Sequence, residues 1–154
     1  MTLQIGEKAP IFCLPSSTGD EVSLSSLSGR KVVLFFYPKD DTLGCVKEAC
    51  GFRDAINGFE KQNIALFGVS VDSLESHDKF ISKYSLNFPL LSDEEKVMSS
   101  EYGAWGEKIV YGKRTVGMNR MTFLIDEDGI LVKVWKKVTP EGHAEEVLST
   151  ISKL

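Results

Sequence analysis

Two cysteines five positions apart are the residues of this sequence best placed to do redox chemistry. Cys45 and Cys50 lie in the segment KVVLFFYPKDDTLGCVKEACGFRD, residues 31–54. The apolar run 32–37 predicts a strand buried on both faces, and Pro38 ends it because proline has no N–H for a ladder. A helical pattern follows, so Cys45 falls in the first turn of a helix just past a buried strand. Open α/β sheets place their chemistry at such strand ends.

The predicted start of this helix supplies a reason for a reactive thiol. Thr42 is a suitable N-cap residue, and the first turn carries unpaired backbone N–H groups and the positive end of the helix dipole. Both favour the thiolate of Cys45, which is the nucleophilic form of cysteine. A cysteine that only fills space is the alternative, but it would need no proline, threonine and glycine around it.

The spacing between Cys45 and Cys50 indicates a reversible pair rather than a permanent staple. An intact helix separates two Cα atoms five positions apart by roughly 8.6 Å, whereas a disulfide needs about 4.4–6.8 Å. At least one helical turn must therefore unwind before the sulfurs can bond, and strained disulfides are typical of redox cycling. Gly51 weakens the helix there by roughly 1 kcal/mol relative to alanine. The alternative is that Cys50 is an ordinary helix residue.

The pattern around Cys45 resembles that of a known family. Pro38-x-x-x-Thr42-x-x-Cys45 is similar to the active-site signature of peroxiredoxins. The longer string FYPKDDTLGCVKEACGFRD resembles the peroxiredoxin Q, or bacterioferritin comigratory protein, subfamily. The resemblance extends along most of the chain, through GEKAP (6–10), YGAWGEK (102–108) and GHA (142–144).

This resemblance implies a thiol-specific peroxidase that reduces hydrogen peroxide and organic hydroperoxides. Cys45 would attack one peroxide oxygen and become a sulfenic acid. Cys50 stands at the spacing of the subfamily's resolving cysteine and would then form a disulfide with Cys45. The resemblance further implies that thioredoxin or glutaredoxin reduces this disulfide, and that no metal, flavin or haem takes part.

Three further residues are expected to shape the site. Thr42 lies one helical turn before Cys45, so its hydroxyl is expected to face the sulfur, in addition to or instead of capping the helix. Pro38 is expected to shape the turn and to shield the sulfur from water. Arg120 is assigned by the resemblance alone, at the start of a late strand. A cation that cannot lose its proton suits a thiolate and a polarised peroxide; a surface salt bridge is the alternative.

Size and composition restrict the class of protein. A chain of 154 residues with a net charge of −4 predicts one domain, residues 1–154. No basic stripe indicates nucleic acid, and no apolar span or leader pattern indicates a membrane or export. Three cysteines do not make a disulfide scaffold in a chain of this size. We therefore expect a cytoplasmic protein and, from the resemblance, a monomer.

The predicted elements follow the order β-α-β-α and then β-β-α after a short N-terminal β-hairpin. This order matches a thioredoxin-like α/β fold, with a central mixed sheet flanked by helices. Strands 32–37 and 64–71 flank a helix and are expected to be parallel, whereas Asp128-Gly129 predicts an antiparallel hairpin of the last two strands. The other strands are expected at residues 11–14, 22–24, 121–125 and 130–136, and the helices at 44–59, 74–85, 92–103 and 145–151.

Four local expectations accompany this fold. Cys13 is expected to pack among apolar neighbours, and His77 to be a solvated helix residue. Asp72-x-x-Glu75 predicts a capping box ahead of the second helix, and Ser92-x-x-Glu95 predicts the start of the third. Residues 103–121 show no clear period.

Three rival functions remain open from the sequence. The first is a thiol–disulfide oxidoreductase on the same fold, although such proteins usually carry two residues between their cysteines rather than four. The second is a zinc site of Cys13, Cys45, Cys50 and a histidine, although no paired ligand spacing is present. The third is a non-enzymatic redox sensor, in which Cys45 passes its oxidation to a partner protein.

Overall fold

The computed structural model describes residues 3–154, in which nine strands, four α-helices and one short 3₁₀ helix (Ser25–Leu27) occur. The strands are β1 (Cys13–Pro15), β2 (Glu21–Ser23), β3 (Lys31–Phe36), β4 (Ile64–Ser70), β5 (Leu90–Ser92), β6 (Trp105–Val110), β7 (Lys113–Met118), β8 (Met121–Ile125) and β9 (Leu131–Trp135). The helices are α1 (Leu43–Lys61), α2 (Leu74–Tyr84), α3 (Val97–Glu101) and α4 (His143–Ser152). Within the described residues, none of the helices has the length and apolar character that crossing a bilayer requires.

Five strands form the central sheet in the order β5-β4-β3-β8-β9. The middle strand, β3, runs parallel to β4 and antiparallel to β8. The strand pair β8–β9 is antiparallel, as its Asp-Gly turn predicts. The mixed α/β fold with its parallel βαβ unit is therefore confirmed.

Alternate side chains of β3 enter two apolar clusters, one on each face of the sheet. Phe35 belongs to the cluster beneath α1 and α4, and its ring stacks on Phe52 of α1 with centroids 4.5 Å apart. Phe36 belongs to the other cluster, which includes Met98 of α3. Burial on both faces explains why β3 is a continuous apolar run, and the ring stack fixes α1 over the sheet.

The N-terminal hairpin is present, but the expected packing role of Cys13 is wrong. β1 and β2 pair antiparallel, with Cys13 opposite Ser23. Cys13 is exposed, and its Sγ donates to Oε2 of Glu21 at 3.0 Å. The reason is strand alternation: Phe12 is buried, so its neighbour Cys13 points the other way.

Three strands of the structure, β5, β6 and β7, were not predicted from the sequence. β5 is only three residues long, too short to show a period. β6 and β7 form a two-stranded hairpin within residues 103–121, and most of its side chains are exposed. An exposed ribbon lacks the alternation of apolar and polar residues on which strand prediction depends.

α2 begins at Leu74 as predicted, but the predicted capping box ahead of it and the predicted start of α3 are wrong. Ser73 caps α2 by accepting a hydrogen bond from the backbone N–H of Ser76 at 3.1 Å. Asp72 instead accepts the backbone N–H of Asp40 at 2.8 Å. α3 begins at Val97 rather than near residue 92, because the preceding residues finish β5 and turn.

Candidate active site

Cys45 lies in the first turn of α1, directly beyond the end of β3. A short loop of residues 37–42 connects the strand to the helix. Cys45 is the third residue of α1, and only 1% of its surface is exposed. The strand–turn–helix arrangement predicted from the sequence is therefore present, and the sulfur sits beside the positive end of the helix dipole.

Arg120 reaches this sulfur from a distant part of the chain. It directly precedes β8, whose first residue, Met121, pairs with Phe36 at the end of β3. This register brings Arg120 beside the start of α1, and its Nη2 lies 3.5 Å from Sγ of Cys45. The structure thus brings together the two residues that the sequence analysis named as thiol and cation.

Glu48 holds the other end of the guanidinium and was missed by the sequence analysis. Its Oε1 accepts from Nη1 of Arg120 at 2.8 Å, and its residue is 1% exposed. Burial raises the pKa of Glu48 to about 7, against the lowering effect of Arg120. A signal was available: helical spacing places Glu48 on the same face as Cys45, Ala49 and Phe52, a buried face that rarely accepts an unpaired carboxylate.

His143, at the start of α4, lies behind Glu48. Its Nε2 is 2.8 Å from Oγ1 of Thr122 and 4.0 Å from Oε2 of Glu48. Burial lowers the pKa of His143 to about 4, so the ring is neutral at pH 7. No role for His143 was predicted beyond the GHA resemblance, because none of its neighbours along the chain indicates what it contacts.

Thr42 and Pro38 lie in the connecting loop, but Thr42 does not cap the helix with its side chain. Thr42 occupies the N-cap position with an extended backbone, and its exposed hydroxyl donates to the carbonyl of Lys39 at 2.9 Å. Thr42 is therefore the N-cap residue by position, as predicted, but its hydroxyl bonds neither a backbone N–H of the first helical turn nor Cys45. Pro38 is half-buried between the end of β3 and the loop.

Cys50 is half-buried on α1, and neither it nor Cys45 is in a disulfide. α1 is continuous from Leu43 to Lys61. The two cysteines are thus five positions apart on an intact helix, a separation too long for a disulfide without local unwinding.

A buried hydrogen-bond network holds the loop of residues 37–42 in place. Asp40 accepts from Tyr37 at 2.6 Å and from Ser76 at 2.8 Å, and its Oδ2 lies 2.7 Å from Nδ1 of His77. Nε2 of His77 faces the carbonyl of Leu91 at 2.9 Å. The expectation that His77 is solvated is wrong, because its acidic partner lies 37 positions away and only the fold brings them together.

One group among residues 3–154 has the spacing of metal ligands, namely Asp40, Asp72 and His77. It contains no cysteine. Asp40 and Asp72 already accept hydrogen bonds from protein groups. The rival zinc site of three cysteines and a histidine therefore gains no support from the geometry.

Known proteins share the sequence and fold of this chain. Residues 5–134 match the AhpC/TSA family. A putative peroxiredoxin Bcp from Coxiella burnetii is 47% identical over 98% of this chain and 100% of that protein. Peroxiredoxin Bcp from Bacillus subtilis is 44% identical over 98% of this chain and 96% of its own.

The chain belongs to the AhpC/TSA family. The solved structures agree, because a cysteine variant of PrxQ from Xylella fastidiosa superposes with a TM-score of 0.92 at 34% identity, covering 99% of this chain and 98% of that one. Bacterioferritin comigratory protein from Xanthomonas campestris, described with an alkyl peroxide reduction activity, gives 0.87 at 37% identity over 92% and 90% of the two chains. The resemblance to peroxiredoxin Q and the thioredoxin-like fold are thus confirmed.

This peroxiredoxin is a thiol peroxidase, which reduces hydroperoxides with electrons from a thiol reductant. The family assignment favours the peroxidase over the thiol–disulfide oxidoreductase that the sequence left open.

Proposed function

We propose that Cys45 is the residue that attacks the hydroperoxide. The observation that carries this proposal is the contact of 3.5 Å between its sulfur and Arg120, at the N-terminus of α1. A permanent cation and the helix dipole both favour the thiolate, and the cation stabilises charge that develops on the breaking O–O bond. The thiolate forms an S–O bond, the O–O bond breaks, and the distal oxygen leaves with the electron pair and takes up a proton. Cys45 becomes a sulfenic acid.

Thr42 and Pro38 position the peroxide in this proposal. The Thr42 hydroxyl donates its hydrogen bond to the carbonyl of Lys39. The hydroxyl oxygen can therefore still accept a hydrogen bond from the peroxide O–H. Pro38, half-buried two residues beyond the end of β3, is the residue that shields the sulfur from water in this proposal. Holding the peroxide in line with the sulfur lowers the entropic cost of the reaction.

Cys50 resolves the sulfenic acid. Its thiolate attacks the sulfur of Cys45, a disulfide forms, and the hydroxyl group leaves as water once protonated. The two sulfurs meet only after the turn between them unwinds, so resolution requires local unfolding at the start of α1. A dithiol protein, thioredoxin or glutaredoxin, then reduces the disulfide.

The substrates proposed are hydrogen peroxide and organic hydroperoxides. The alkyl peroxide reduction described for the Xanthomonas campestris relative supports the organic class. A cytoplasmic location and a monomeric state remain predictions from the sequence.

Mass spectrometry after one equivalent of hydrogen peroxide tests the cysteine roles. The parent should show a Cys45–Cys50 disulfide, and Cys50→Ser should stop at a sulfenic acid on Cys45. Cys13→Ser is the matched control and should behave like the parent. Peroxide reduction by Cys45→Ser at the parental rate would overturn the proposal. Repeated turnover with thioredoxin separates the peroxidase from the redox sensor, which would turn over only with its partner.

A further inference from the structure

The charges around Arg120 do not balance if both of its neighbours are ionised. Arg120 is the one guanidinium between Oε1 of Glu48, at 2.8 Å, and Sγ of Cys45, at 3.5 Å. Glu48 and Cys45 are each 1% exposed. A carboxylate together with a thiolate would therefore leave one negative charge in a buried site opposed only by the partial positive charge at the N-terminus of α1, which is costly.

Among residues 3–154, the charged side chains that approach Glu48 are Arg120 and His143, and His143 does not supply a second positive charge. Arg120 pairs directly with Glu48, Cys45 of the same helix is linked to Glu48 through Arg120, and His143 approaches from α4. His143 is neutral at pH 7, and its Nε2 is 4.0 Å from Oε2 of Glu48, outside hydrogen-bond distance. Glu146 approaches only the outer nitrogen of His143, at 3.6 Å.

The second carboxyl oxygen of Glu48 gives independent evidence for a neutral state. Oε2 is buried and has no hydrogen-bond partner within residues 3–154. Leaving an oxygen of a carboxylate unpaired in the interior costs more than leaving an atom of a neutral carboxylic acid unpaired. The unpaired Oε2 of Glu48 therefore favours the protonated carboxylic acid. The hydrogen bond that Oε1 accepts from Arg120 favours the carboxylate instead.

We propose that Glu48 and Cys45 share a single negative charge opposite Arg120, and that Glu48 stores the proton which the Cys45 thiol releases. The inference rests on the proposed role of Cys45. When Cys45 is a thiol, Glu48 is the carboxylate; when Cys45 is a thiolate, Glu48 is the acid. Glu48 is a positioning residue, because it acts on the sulfur through Arg120.

Oxidation then moves the charge from sulfur to carboxylate. The thiolate forms its S–O bond, and the leaving oxygen of the peroxide takes the electron pair and one proton. The sulfenic acid is neutral, so Arg120 now pairs with Glu48, which releases its proton. Glu48 releases one proton and the leaving oxygen takes up one proton, so no net proton comes from solvent. The net charge of Cys45, Glu48 and Arg120 together stays the same. The raised pKa of Glu48, about 7, fits a proton exchanged near neutral pH.

Proton uptake during a single turnover tests this balance. In a Cys50→Ser background, one equivalent of hydrogen peroxide at pH 8 in weak buffer with a pH indicator should consume less than about 0.3 proton per sulfenic acid. Adding Glu48→Gln removes the carboxyl group that supplies the proton, so the uptake from solution should rise to about one proton per sulfenic acid. Glu60→Gln makes the same chemical change at an exposed position of α1 and should match the background.

The pH profile of the oxidation rate gives a second readout that a merely structural role would not change. Two coupled groups should give two steps in the background variant, and Glu48→Gln should leave one. Equal proton uptake with and without Glu48 would overturn the proton store. Absence of any sulfenic acid on Cys45 in the background variant would instead overturn the proposed function, so the two failures are distinguishable by labelling the sulfenic acid.

Discussion

A methyl group on Gly44 would lie 2.9 Å from Nη2 of Arg120, closer than a side chain and a guanidinium can approach. The same methyl would lie at an ordinary 3.5 Å from Cγ of Pro140, so Arg120 is the group that would have to move. Gly44 therefore leaves the space through which Arg120 reaches Cys45. The glycine between Leu43 and Cys45 has a steric role that its helix propensity would not reveal.

Gly44→Ala should slow the oxidation of Cys45 by roughly 10- to 100-fold, since a small misplacement of a catalytic group costs that much. Stopped-flow measurement of sulfenic acid formation checks this. Thermal unfolding should show an intact fold, because alanine favours a helix over glycine. A parental oxidation rate would mean that the position of Arg120 does not limit the reaction.

Arg120→Lys should lower the rate constant for peroxide reduction by roughly 10²–10³-fold. The reason is geometric: one guanidinium spans Glu48 and Cys45 with two nitrogens, and a lysine offers a single point charge. Steady-state rates with a dithiol reductant measure the loss. Arg114→Lys, at an exposed arginine paired with Glu107, is the matched control and should retain parental activity.

The fold was largely predictable where burial leaves a period in the sequence. The apolar run of β3, the helix after it and the Asp-Gly hairpin are all local signals, and each corresponds to an element of the structure. The β6–β7 hairpin was not predictable, because its strands pair mainly with each other and most of their side chains face solvent.

The site was predictable only in part, for a related reason. The position of Cys45 follows from the strand and helix next to it. Arg120 lies 75 positions further along the chain, and only the tertiary fold brings it beside Cys45. Glu48 and His77 owe their roles to partners on other elements. Sequence spacing along one helix cannot reveal such partners, which is why the burial of His77 was not predictable.

Gly51→Ala should slow disulfide formation without changing the first oxidation step. An added methyl would meet only Cβ of Ala144, at an ordinary 3.7 Å, so the structure accepts it. Alanine should stabilise α1 by about 1 kcal/mol, which corresponds to about a fivefold smaller unwound population when that turn must open. Rapid-quench mass spectrometry should show sulfenic acid forming at the parental rate and the Cys45–Cys50 disulfide appearing several-fold more slowly. Equal rates of disulfide formation would mean that unwinding at Gly51 does not limit resolution.

The imidazole of His77 should make the stability of the protein depend on pH. Its Nδ1 faces Asp40 at 2.7 Å and its Nε2 faces the carbonyl of Leu91 at 2.9 Å, and only the imidazolium donates to both. Burial by itself lowers the pKa of His77, but the hydrogen bond and charge of Asp40 outweigh it, and the net shift is upward from 6.5. Because the folded pKa exceeds the unfolded one, this stabilisation is complete below pH 6.5. It is lost as pH rises through the folded pKa.

Urea unfolding between pH 6 and pH 9 checks this sign. At pH 6, His77→Gln should lower the free energy of unfolding by about 3 kcal/mol, because it leaves the buried carboxylate of Asp40 without its cation. The difference between parent and variant should shrink toward pH 9. Glu48, with its raised pKa of about 7, also reduces stability as pH rises from 4.5 through 7, but it does so in both proteins. The parent–variant difference therefore isolates His77, and a difference that stays constant from pH 6 to pH 9 would show that the ring does not change its charge on folding.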